Sequence, residues 1–199
     1  MKSYDEMKES CTKFICEDIQ RLEKEIPETK DLSVRKGKEL ALEDRKKQLN
    51  FIDESTENQI GTAVNEILFY LGQKQENLSS HEIRVENFPI SQARNKAAWI
   101  GISAENLATY FDGKNANDKE VRDSFIAMVN DYMGTKIPFT GEFEELKERV
   151  EHAGPEERDQ LLIEFYEMKS RGGTPGQIVI PSMFDAYLEA KERVANKTK

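Results

Sequence analysis

The sequence predicts a mainly α protein, a bundle of seven to nine helices. Three observations carry this. Apolar residues recur at three- and four-residue steps along most of the chain. Ser, Thr, Asp and Asn stand where helices would begin, and Gly or Pro where they would end. Strand-like patterning is confined to "HEIRVE" (81–86) and "QIVI" (177–180), which could pair as one short two-stranded ribbon.

Residues 3–26 read as one long helix. Ser3 and Glu6 suit a capping box, and Tyr4, Met7, Cys11, Phe14, Ile15, Ile19, Leu22 and Ile26 mark a narrow apolar stripe that Pro27 closes. Residues 31–52 are heavily charged, with Leu40, Leu42, Leu49 and Ile52 as sparse anchors. They predict a second helix folding back on the first, so that 1–52 would form an N-terminal helical hairpin or arm and 53–199 a bundle domain, or else one domain would span 1–199.

The segment 56–71 has the cleanest periodicity, through Ile60, Ala63, Val64, Ile67, Leu68 and Leu71, with Gly72 as its stop. For 81–86, Ser80 equally caps a helical turn, and Asn87-Phe88-Pro89 is expected to break whatever precedes it. Ser91 and Ser103 predict caps of two short helices, and Asn117 with Glu120 the cap of 118–133, ended by Gly134. Thr140 is expected to open 141–153. Gly154-Pro155 marks a tight turn into 155–171, and Ser182 starts the last helix. Between these, "GGTPG" (172–176) reads as a bend. No lysine-bearing phosphate-loop pattern is present, and Pro175-Gly176 fits a type II turn.

The composition narrows the function classes. Of 199 residues, 37% are hydrophobic and 34% charged, enough apolar material for a modest core. The net charge of −9 and the absence of a concentrated basic patch argue against nucleic acid as a partner. No stretch is apolar enough to cross a membrane, and the N-terminus lacks the apolar region of a cleaved signal peptide. The expectation is a cytoplasmic protein, in its own cell or delivered into a host's cytoplasm. Cys11 and Cys16 would sit about 140° apart on a helix with Cα atoms roughly 8 Å apart, too far for a disulfide within it.

Reactive groups are scattered. Cys11, Cys16, His81 and His152 lack the spacing of a structural zinc site, and "FDGKNANDKEV" (111–121) puts Lys114 where a calcium loop needs an oxygen. One acidic pattern remains: Glu144-Glu145 with Glu148, then Glu156 with Asp159. It is similar to the E-E-x-x-E and E-x-x-D magnesium motifs of all-α nucleotide pyrophosphohydrolases. The likeness covers 144–159 only, and the two halves lie closer than in those enzymes. It implies a divalent-metal-dependent nucleotide hydrolase using Glu145, Glu148, Glu156 and Asp159, in which magnesium or manganese would raise the melting temperature.

The leading expectation is different: a non-enzymatic protein-binding module without cofactors, a regulator, adaptor, inhibitor or delivered effector. It would meet another protein, or a second copy of itself, through helical surfaces. The contact residues expected are Leu22 and Ile26 on the first stripe and Thr174, Gln177 and Met183 around the glycine bend.

Overall fold

A computed structural model describes residues 1–73, 83–172 and 181–197, which contain nine α-helices and no strand. These residues divide into two compact units, Tyr4–Thr56 and Met1–Ser3 with Glu57–Lys199.

The smaller unit is a helical hairpin. Helix α1 (Tyr4–Glu28) carries its apolar stripe inward, burying Met7, Cys11, Ile15 and Leu22. Pro27 lies inside its last turn instead of stopping the helix, which runs one residue further to Glu28; lacking an N–H, Pro27 forgoes only the bond back to Glu23 O. Asp31 then caps α2 (Leu32–Asn50), its carboxylate accepting from the amides of Ser33 and Val34 at 2.9 and 3.0 Å. The seam pairs Asp18 with Arg45, Glu25 with Lys38 and Glu23 with Lys46 at 2.7–2.9 Å. Late positions of α1 meet early positions of α2, so the two helices run antiparallel.

Phe51 (φ −122°, ψ 52°) interrupts the helical path, and α3 (Ile52–Gln73) begins at once. The Tyr4 hydroxyl donates to the Asp53 carbonyl at 3.1 Å and Lys8 pairs with the Asp53 carboxylate at 2.6 Å, tying both ends of the hairpin together.

From Glu57 onward α3 belongs to the larger unit. Ile60, Ala63, Val64, Ile67 and Leu68 are all buried, as the period requires. The helix starts four residues before the expected 56 and runs through Gly72 rather than stopping there. A side chain at 72 would collide with that of Asn117, whose Nδ2 donates to the Gly72 carbonyl at 3.0 Å. This glycine permits a close approach rather than a helix end.

Helix α4 (Ile83–Trp99) corrects two expectations. Ile83 to Glu86 are helical, so the proposed ribbon does not form through them, and "QIVI" falls outside the described residues. Pro89 sits buried inside α4 instead of breaking it, and Ser91 is an interior residue rather than a cap. The missing Pro89 N–H removes one ladder hydrogen bond, while Ala93 and Ala97, four residues apart and fully buried, anchor the same helix by close packing.

Helix α5 (Ala104–Tyr110) is capped by Ser103, as expected, through a 3.1 Å bond from the Asn106 amide. Helix α6 (Lys119–Met133) is capped by Asp118, not Asn117, and ends at Gly134 in the left-handed conformation, φ 69°. The α6 face that turns inward is Phe125, Ile126, Val129 and Met133. Tyr132 is 54% exposed and donates its hydroxyl to the Met1 carbonyl at 2.9 Å. The amide of Lys2 in turn donates to Ile100 O at 3.1 Å, so Met1–Ser3 form a strap over the α4–α5 turn.

After α6 the chain turns around Asn130. Its Oδ1 accepts from Thr135 Oγ1 and from the Ile137 amide at 2.9 and 2.8 Å, and its Nδ2 donates to the Ile137 carbonyl at 2.9 Å. Helix α7 (Glu142–His152) begins after Gly141 with no side-chain cap. Thr140 does not cap it; the Thr140 amide donates to Asp123 instead, at 2.8 Å. Helix α8 (Arg158–Gly172) starts three residues after Pro155, because 155–157 form a turn that bonds back to Gly154. Helix α9 (Pro181–Lys197) has proline in its first position, where no N–H is needed. Phe143 and Phe165 join α7 to α8 at 4.9 Å between ring centroids. Tyr166 and Tyr187 stack at 4.2 Å between α8 and α9.

Candidate functional site

The acidic pattern of 144–159 is dispersed by the fold. Glu145 and Glu148 are exposed on α7, and Glu156 is exposed in the turn. Asp159, on the first turn of α8, faces α9: Arg193 reaches both its carboxylate oxygens at 3.0–3.2 Å and Lys197 lies 3.8 Å away. The hydrogen bond and charge of Arg193 hold the Asp159 carboxyl below the ordinary aspartate range. A metal ion there would have to displace two resident cations. Among the described residues no three His, Cys, Asp or Glu side chains gather around a point that a metal could occupy. His152 is tied by Nδ1 to the Glu148 carbonyl at 2.8 Å.

The expected contact residues are placed unevenly. Leu22 is 3% exposed, so a partner cannot reach it without opening the hairpin; Ile26 is half-buried. Met183 stands in the first turn of α9, and Thr174 and Gln177 lie outside the described residues. The apolar side chains that do meet water on the hairpin are others. Leu32 is 80% exposed, Leu40 52% and Val34 51%, and α2 has no buried residue. Leu40, expected as an anchor, therefore points away from α1. Phe14, expected in the apolar stripe of α1, is exposed instead, with the Arg45 guanidinium carbon 6.0 Å from its ring centre.

Sequence reading missed a second feature, a groove of about 690 Å³ in the larger unit. Its floor is apolar, with Leu71 from the end of α3, Ile90 from α4 and Leu107 from α5; Leu107 is 3% exposed. Arg94 stands one turn beyond Ile90 on the same face of α4, and Asp112 and Lys114 come from the α5–α6 loop.

Three restraints hold that loop. Asn117 pins it to Gly72, Gly113 takes φ 65°, and the Lys114 amide donates to the Phe111 carbonyl at 3.1 Å. Beneath it, Tyr110 and Phe111 pack against Phe125 at 5.3 and 5.2 Å, and the Tyr110 hydroxyl donates to Ser124 at 2.9 Å. The Lys114 ammonium sits 4.0 Å from the Tyr110 ring centre. The sequence sign of this site was the acid- and amide-rich stretch 111–121, which is similar to a calcium loop except for Lys114 and was otherwise expected to be helix-loop-helix punctuation.

Among the described residues no helix is long and apolar enough to cross a membrane. No protein-family model, curated protein or solved structure matches the chain.

Proposed function

We propose that the chain is a protein-binding module, a regulator, adaptor, inhibitor or delivered effector, which meets its partner through the outer face of the hairpin. One observation carries this reading. Helix α2 spans 19 residues, buries none, and leaves Leu32, Val34 and Leu40 at least half exposed. Covering a large aliphatic side chain is worth about 1.5–3 kcal/mol, so the side of α2 shared by Leu32 and Leu40, about 80° apart around the axis, gains from being covered; Val34 lies on another side. Five of the six Lys or Arg of α2 are already engaged, Lys38, Arg45 and Lys46 with acids of α1 and Arg35 and Lys47 with Glu39 and Glu43 of α2 itself, so the apolar anchors rather than charge would supply affinity.

The test is a paired substitution, Leu32→Asp with Leu40→Asp. Both positions are exposed, so the melting temperature should hold while capture of the partner is lost by at least tenfold. Undiminished capture from the cytoplasm of the native source would rule out this face. Sedimentation velocity of the same pair of proteins separates a second copy from a different chain as the partner.

A further inference from the structure

We propose that the groove between α4, α5 and the loop 111–118 binds a small amphipathic monoanion, an aliphatic or aromatic body ending in a carboxylate. The volume, about 690 Å³, lies inside the ordinary range of ligand sites, roughly 300–1,000 Å³. Leu71, Ile90 and Leu107 offer an apolar body side chains to pack against.

The charge pattern selects the head group. Arg94 is exposed and has no hydrogen bond or ion pair among the described residues, so its planar fork remains available for a carboxylate. Lys114 adds a second cation at the rim and Asp112 a carboxylate, so the described lining residues carry two cations and one anion. That matches a single negative charge and disfavours a polyphosphate. The walls are set before any ligand arrives, since Asn117 and the aromatic cluster under Tyr110 and Phe111 fix the loop. A preformed site loses little free energy to ordering.

Isothermal titration of the full chain with decanoate, below its micelle concentration, tests this. Saturable one-to-one binding is expected, at least tenfold tighter than that of decyltrimethylammonium, which has the same tail and the opposite charge. Arg94→Gln should weaken decanoate at least tenfold. Ala108→Trp, at an exposed position on the groove wall of α5, should abolish binding by filling the space. Circular dichroism matching the unsubstituted chain shows that each variant is folded. A variant that unfolds is replaced by Arg94→Lys or Ala108→Leu, for which weaker binding is again expected. Absence of saturable decanoate binding, equal binding of the cationic analogue, or binding untouched in folded groove variants would overturn the proposal. None of these results depends on the hairpin face.

Discussion

In the hairpin, α1 buries Met7, Cys11, Ile15 and Leu22 while α2 buries nothing; in the larger unit α6 alone buries Phe125, Ile126, Val129 and Met133. On the α2 side the hairpin seam sets ion pairs beside half-buried Leu42 and Leu49. Asp18 and Arg45, 13% and 15% exposed, meet at 2.7 Å, and Arg21 also bonds to Asp18. The contrast shows two ways to join helices. Apolar packing scales with area removed from water and resists salt. Charge pairs supply register and geometry but little net stability, and they respond to pH and ionic strength.

The largest expected effect tests the apolar side of that contrast. Phe125 is fully buried and packs against Tyr110 and Phe111. Phe125→Ala should cost about 3–5 kcal/mol, read as lost amide-exchange protection across 57–199. If protection in the larger unit survives, its core is not centred on α6.

Asn130→Ala comes next. The change removes three hydrogen bonds and strands both backbone groups of Ile137, whose own side chain is 2% exposed. A loss of about 2–3 kcal/mol is expected, with exchange accelerating first at Ile137. Asn130→Asp keeps the acceptor and should recover part of it.

Gly101→Ala should cost about 1–2 kcal/mol. Gly101 has φ 78°, and a Cβ there would collide with the Lys2 backbone. The strap of Met1–Ser3 should detach, visible as faster exchange of the Lys2 amide. Unchanged exchange would mean that the strap does not depend on this approach.

The smallest effect concerns the ionic seam. Burial alone would raise the Asp18 carboxyl, but the hydrogen bonds and charges of Arg45 and Arg21 outweigh it and hold it below the ordinary aspartate value. A depressed carboxyl contributes stability above its unfolded value, about 3.9, and loses it as pH falls through the folded value. Asp44 has the opposite sign. Burial raises it, against the weaker pull of Arg45 and Lys47, so acidification through its folded value favours the folded hairpin. Helical carbon shifts of 32–50 should therefore hold steady or strengthen down to about pH 4 and weaken below it. Arg45→Met should flatten the acid loss. A pH response of equal size in that variant would show that the seam is not what titrates.

Much of the helix pattern could be read locally. The period through Ile60, Val64, Ile67 and Leu68 places those residues inside, and Asp31, Ser103 and Gly134 stand at helix ends, Ser103 and Gly134 as anticipated. These features rest on interactions within four residues, which are written in adjacent letters. Asn117 and Thr140 look like caps by the same letters, yet their polar groups are taken by Gly72 and Asp123, 45 and 17 residues away. Pro89 resembles a breaker, but its place within α4 depends on packing around Ala93 and Ala97.

The sequence settled where the chain coils, because helical hydrogen bonds close over one turn and apolar period follows from 3.6 residues per turn. Only the tertiary structure decided that Asp159 belongs to Arg193 rather than to Glu148, that Leu22 is covered while Leu32 and Leu40 are not, and that Arg94 and Lys114 share one groove. Which charges meet and which faces stay wet depend on neighbours distant in the chain. Their separations are set by how whole helices pack, a quantity that no short window of residues encodes.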